Sequence, residues 1–354
     1  MKRFLPTIYA IICTLMLCAG LVLAFVFAWQ AGVYDIVYCV IGTVIGFIFA
    51  PIVHEFGHIV FAKMANMRIA YVKCFCLQFQ AGERSKLRFC SPFAPDETQA
   101  IPKSGGDMRH RATLLTVGGL IFSGIFLLAL LTTAILFTCL GDTNYLLWSA
   151  VPYPAYLFLL NVMPLEYASG KTDALVLQGI RKGYPEEKAM LAAMQIQGEL
   201  YAGKTFGEID ERLYYDVPQL CEEQPLYAVT LNLRYRYHIQ RDEYDKAADC
   251  LNRLAVSQAY LLDSEVQTLA AELVYMHAIG GDTQRAKESA NLCKEYLSSD
   301  TLLAKRALAA YMQACGEREK AMLLLAQAEE LLQKEWIRGV ADFEKILLSR
   351  LSSV

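Results

Sequence analysis

The run VYDIVYCVIGTVIGFIFAPIVHEFGHIVFA occupies residues 33–62 and carries both the clearest membrane signal and the clearest chemical signal in the chain. It is apolar for about twenty residues, the helix length that a bilayer core demands. It then presents His54, Glu55 and His58. A helix places residues i and i+4 on one face, so the two imidazoles can approach a single ion. Glu55 lies beside them, placed to hold and deprotonate a water, which is the mechanical meaning of H-E-x-x-H. The pattern arises by chance in soluble chains. Here it sits in an apolar helix, where ionisable groups lose their hydration and are functional suspects by default.

Three further apolar stretches flank this one, at residues 6–29, 112–140 and 145–162. A Gln30, Ala31, Gly32 turn separates the first from the second. Lys2 and Arg3 ahead of the first stretch imitate a signal peptide. The stretch is long for one, however, and a second span follows at once, so an uncleaved helix is expected. Residues 1–180 carry 12 Lys/Arg against 9 Asp/Glu; residues 181–354 carry 21 against 27 and no apolar run of membrane length. The expected fold is therefore a polytopic α-helical membrane domain over 1–180, followed by an all-α soluble domain over 181–354. A net charge of only −3 gives no sign of a nucleic-acid partner.

Charge sets the direction of the spans. With the N-terminus in the cytoplasm, the segment between spans two and three is cytoplasmic too. It holds Lys63, Arg68, Lys73, Arg84, Lys86, Arg88, Lys103, Arg109 and Arg111. The opposite side receives the Gln30 turn and the loop near Asp142, both without Lys or Arg, while Lys171, Arg181 and Lys182 follow span four. This positive-inside pattern places both termini in the cytosol of a multi-pass protein, with a bacterial plasma membrane the best fit. The 11 cysteines are scattered singly through apolar and helical stretches, as in a reducing compartment, and the lone Cys74–x–Cys76 reads as ordinary burial.

Within the cytoplasmic segment, residues 66–105 form a small β insert. Its strand-like patches are IAYVKCFCLQFQ at 69–80 and residues 86–90, and Pro92, Pro95 and Pro102 make a turn-rich link to span three. Such a sheet at the membrane surface is suited to guide an incoming substrate strand by edge pairing.

Two histidines leave a catalytic zinc one protein ligand short, since such sites commonly use three plus water. The missing ligand must return to the same depth. Span four ends at Asn161, Val162, Met163, Pro164, and Pro164 interrupts the helical ladder. Broken backbone at membrane depth is tolerated only where protein or a watery cavity receives it. Beyond the break, Glu166 and Asp173 both have suitable spacing, and polarity does not choose between them. His110, between Arg109 and Arg111, is a third candidate better suited to phosphate headgroups.

The combination of H54-E-F-G-H58, N161-x-x-P164 and the later Asp173 resembles the site-2 protease family of intramembrane zinc metalloproteases, over residues 33–185. That resemblance implies a Zn2+ site completed by Asp173 rather than Glu166, with Glu55 as general base and Asn161 assisting near the catalytic water or substrate backbone. It implies an intramembrane metalloendopeptidase whose substrate is a transmembrane or membrane-bound peptide, cut near the cytoplasmic side. The chain departs from the family pattern at Ala174, where glycine usually follows the aspartate, and in the polar insert between Pro164 and Asp173. Gly118, Gly119 and Gly124 in span three invite close helix packing, at a depth suited to the histidine pair.

In the C-terminal half, Gly203, Arg241, Gly281 and Gly316 open similar helix-to-helix turns, with Ala247, Ala286 and Ala321 following the last three. This spacing suggests stacked helical hairpins and loosely resembles tetratricopeptide repeats, without their full signature. A cytosolic protein partner docked on residues 181–354, or a restraint on the active site, is the expected role. Two other functions fit the same residues: a catalytically weak relative that binds membrane peptides, and a transporter whose buried His and Glu line an ion path.

Overall fold

A computed structural model describes residues 4–80, 86–91, 96–168, 170–257, 261 and 263–352. Lys2, Arg3, Arg84, Pro92 and Pro95, used above for orientation and turns, lie outside them. The described chain is mostly helical with a small sheet. Its contacts divide it into two units, one of Met1–Ile101 with Asp107–Glu187 and one of Pro102–Gly106 with Lys188–Val354.

The first unit opens with helix α1 (Leu5–Ala31) and helix α2 (Val33–Met64), joined at Gly32 alone. The expected three-residue turn shrinks to one residue because Gly32 adopts φ 154°, open to a residue without a Cβ. Strand β1 (Met67–Cys74) turns back at Phe75 into β2 (Leu77–Gln80), followed by β3 (Lys86–Phe89) and β4 (Glu97–Pro102). The sheet order is β3-β2-β1-β4, with β1–β2 and β2–β3 antiparallel, so β4 is an edge. The stretch expected to be a turn-rich link thus contains a strand. Helix α3 (Met108–Cys139) follows.

Helices α1, α2 and α3 are long and apolar enough to cross a membrane. Apolar side chains such as Leu15, Val22 and Trp29 on α1 are largely exposed, as expected of a surface made for lipid. The fourth expected span is not one helix. Residues 145–162 form α4 (Tyr145–Ala150) and α5 (Pro152–Val162), neither of spanning length. Pro152 and Pro154 lack the N–H groups that would bond back to the carbonyls of Trp148 and Ala150, which breaks the ladder there. The short α4 packs tightly on α2: a Cβ on Gly42 would lie 2.0 Å from the Leu146 carbonyl oxygen.

After α5, β5 (Glu166–Tyr167) and β6 (Gly170–Lys171) pair as a tiny antiparallel hairpin. The described residues of the polar insert thus include two short paired strands. Thr172 then caps helix α6 (Asp173–Lys182), accepting from the Leu175 N–H at 3.3 Å. Helix α7 (Pro185–Tyr201) starts in this unit and continues into the second. The division falls after Glu187 rather than at residue 180, because Glu187 contacts both Lys171 and Gly179.

The second unit holds the rest of α7, α8 (Arg212–Tyr215), α9 (Pro225–Gln240), α10 (Tyr244–Val256), α11 (Asp263–Ile279) and α12 (Thr283–Leu292). It is completed by α13 (Lys294–Leu297), α14 (Leu302–Ala314), α15 (Arg318–Leu332) and α16 (Arg338–Ser352). Turns fall at Gly203, Gly281 and Gly316 with positive φ, but Asp242 rather than Arg241 takes that conformation between α9 and α10. Ala247, Ala286 and Ala321 are buried where the second helix of each hairpin meets the first. Tyr235 and Tyr237 are core residues, whereas Tyr244 is exposed.

One charged cluster lies inside this unit. Arg306 of α14 is fully buried and bonds both Glu272 oxygens at 2.9 Å, with its Nε 3.0 Å from Glu344 Oε2. Tyr235 donates to Glu272 at 2.8 Å. Removing one partner of such a group strands the others in low dielectric, so Arg306→Met should destabilise by about 3–5 kcal/mol. Thermal unfolding of the full chain in detergent, followed by circular dichroism, reads this out. Adding Glu272→Gln and Glu344→Gln should recover much of the loss, and an unchanged midpoint for Arg306→Met alone would refute it.

Candidate metal centre

Helix α2 delivers His54 and His58 one turn apart on the face that meets α3. Their Nε2 atoms lie 3.2 Å apart. Helix α6 delivers Asp173 at its first residue, with Oδ2 3.3 Å from His54 Nε2 and 3.5 Å from His58 Nε2. These separations suit a single ion, since a tetrahedral zinc with arms of about 2.0–2.1 Å needs ligand atoms about 3.3–3.4 Å apart. Among the described residues, His54, His58 and Asp173 form a group that could hold a metal ion.

The second ring nitrogens point the same way chemically. His58 Nδ1 faces the Leu115 carbonyl at 2.7 Å, so it carries the proton and leaves Nε2 bare. His54 Nδ1 lies 2.9 Å from Ser123 Oγ. Both partners sit on α3, in the manner of the outer groups that orient metal-binding imidazoles. Asp173 Oδ2 is buried with no hydrogen-bond donor. A buried carboxylate oxygen without a donor, facing the two ring nitrogens, is unfavourable by itself and becomes favourable around a cation.

Space for the rings comes from α3. A Cβ on Gly119 would lie 2.4 Å from His58 Nε2 and 2.7 Å from His54 Cε1. One residue earlier the helices touch backbone to backbone, where a Cβ on Gly118 would lie 2.4 Å from the Gly57 carbonyl oxygen. The packing role expected for these glycines is thus visible as direct contact with the histidine pair. Gly124 is less constrained: a Cβ there would lie 3.3 Å from Phe158 Cε2.

Glu55 is buried beside the pair, and Thr98 of β4 donates to its Oε2 at 2.5 Å. The segment before β4 is anchored through Asp96, which accepts from Lys73 Nζ at 3.0 Å and from the Phe75 N–H at 2.7 Å. A cleft of about 440 Å³ opens onto the group, lined by Pro51, His54, Glu55, Thr98, Asn161 and Asp173 among others. Asn161 donates to the Leu157 carbonyl at 3.3 Å, and it reaches the cleft without joining the ligand group.

No family model, curated protein or solved structure matches the chain.

The other candidate ligands lie elsewhere. Glu166 is exposed on β5, paired in register with Lys171, and His110 is exposed in the first turn of α3. Cys74 and Cys76 belong to no such group. Burial, helped by the charges of Asp96 and Glu55, pushes the Cys74 thiol up to about 12, so it stays protonated near neutrality and is a poor ligand. The residues that sequence reasoning missed are Thr98 and Ser123. Neither belongs to a local pattern, and Thr98 falls in a stretch whose flanking prolines read as a link.

Proposed function

We propose that the chain is a zinc-dependent endopeptidase of membrane-held peptides, the activity implied by its resemblance to site-2 proteases. The observation that carries it is the convergence of two imidazole nitrogens and a buried carboxylate oxygen at tetrahedral spacing, with Glu55 beside them in an open cleft. Zinc bound there would supply a Lewis acid that polarises a carbonyl and makes water acidic enough to lose a proton near neutral pH.

The chain's own groups account for the remaining steps. Glu55 takes the proton of the attacking water and returns it to the leaving amine, as a general base and then acid. Thr98 holds one Glu55 oxygen and so aims the other. Asn161, on the cleft wall, is placed to bond the substrate backbone. A helical substrate hides its carbonyls in hydrogen bonds, so the peptide must unwind before it enters. The edge strand β4, alongside the cleft, offers backbone groups to an extended stretch. Three apolar helices and the lysine- and arginine-rich segment between α2 and α3 support a membrane setting with the cleft toward the cytoplasm.

Metal content of the detergent-purified protein tests the ligand set, alongside cleavage of a panel of single-span substrates. Asp173→Ala should lose zinc and cleavage together, while Glu166→Ala keeps both. Zinc lost with Glu166→Ala and retained with Asp173→Ala would reverse the assignment.

A further inference from the structure

Three charged residues near Asp173 have no part in the chemistry above. Lys171, on β6, places Nζ 2.7 Å from Glu186 Oε2 and 2.6 Å from Glu187 Oε1, both in the first turn of α7. The Glu187 side chain is only 4% exposed. Its other oxygen is buried without a hydrogen-bond donor. The carboxyl lies against Gly179 of α6, where a Cβ would fall 2.4 Å from Glu187 Cδ. Glu187 therefore grips the chain on both sides of Asp173: the hairpin just before it through Lys171, and the helix it begins through Gly179. Between these grips Thr172 donates to the Met163 carbonyl at 2.7 Å and takes the Leu165 N–H at 3.2 Å, tying the hairpin's two ends together.

A buried ion pair contributes little net stability compared with apolar packing, because desolvation offsets the attraction. What it supplies is a fixed geometry. The structure places that geometry around the residue whose position matters most, since metal sites lose affinity when outer contacts leave a ligand loose.

We propose that Lys171, Glu186 and Glu187 form a clamp that positions Asp173 and thereby sets the metal affinity of the site. The inference rests on the metal-site reading given above. It makes these three residues positioning groups that act through Asp173 and touch neither metal nor substrate. It also gives a use to the polar hairpin that departs from the family pattern.

The test is zinc affinity of the full chain in detergent, by competition with a chromophoric chelator. It compares wild type, Lys171→Met, Lys171→Arg, Gly179→Ala and the double variant Glu186→Gln/Glu187→Gln. The Met, Ala and double variants should bind zinc about 10–100-fold more weakly, the range for lost outer-shell support. Lys171→Arg, which keeps a cation between the two carboxylates, should remain near wild type. Helical content should stay unchanged in all of them. Lys171→Met, which strands the buried Glu187 carboxylate, should also lower the thermal midpoint, whereas Lys171→Arg should not. Wild-type affinity in both Lys171→Met and the double variant overturns the clamp, as does a loss of affinity confined to temperatures at which the variant has begun to unfold. A wild-type chain that takes up no zinc overturns the metal reading itself, and the clamp with it.

Discussion

Glu55→Gln should leave the protein folded and metal-loaded but nearly inert, with cleavage slowed on the order of 10³-fold. Glutamine matches glutamate in shape and still accepts the Thr98 hydroxyl, so the wall of the cleft is preserved. It is not among the three residues that could hold a metal, so metal content should stay at the wild-type level. What it lacks is the ability to take a proton from water and deliver it to a departing amine. Zinc stoichiometry and single-span substrate cleavage, measured on the same preparation, separate three readings of the cleft. An enzyme loses cleavage and keeps metal. A peptide-binding relative without catalysis shows little functional change on this substitution. A transporter moves ions in proteoliposomes and holds no stoichiometric zinc. Cleavage persisting near the wild-type rate in Glu55→Gln would remove Glu55 from the mechanism.

Gly119→Ala should abolish stable metal binding through a single methyl group. The added carbon would fall 2.4 Å from His58 Nε2 and 2.7 Å from His54 Cε1, inside the contact distance of both rings. For α3 to retreat it would have to give up the backbone contact that Gly118 and Gly57 make between α2 and α3. Retreat would also pull Ser123 and the Leu115 carbonyl away from the ring nitrogens they orient. The imidazoles must turn instead, and affinity should fall by more than about 100-fold, beyond what loss of an outer-shell partner alone produces. Gly124→Ala is the matched control on the same helix. Its nearest neighbour is a ring edge at 3.3 Å that can shift slightly, so metal should be retained. Equal zinc affinity in the two alanine variants would contradict this picture.

The helices of the first unit were legible where apolarity ran long and unbroken, as in α1, α2 and α3. The stretch at 145–162 is just as apolar, yet Pro152 and Pro154 divide it, and overall hydropathy conceals that local effect. Strand β4 was hidden for the opposite reason: nearby prolines signalled a link, while its pairing with β1 depends on a neighbour distant in sequence. In the second unit, glycine marked the turns at Gly281 and Gly316, but Asp242 took the same conformation without a glycine to announce it. At the candidate site, the i, i+4 spacing of His54 and His58 was readable locally. The choice of Asp173 over Glu166 came only from resemblance, since both carboxylates have similar sequence surroundings. The structure separates them by placing Asp173 against both imidazoles and Glu166 at an exposed position of the hairpin. Gly119 was readable as a packing residue at the depth of the histidines, but the contacts from Thr98 and Ser123 form only when distant segments meet, which no local spacing encodes.

The three residues that could hold an ion come from two helices far apart along the chain, with the sheet and α3 in the loop between them. An ion held there would act as a cross-link, closing a long covalent circuit much as a disulfide does. The apo and loaded proteins would then differ in how firmly α6 is moored as well as in chemistry. Metal supply would set mechanical integrity and activity through one and the same bond.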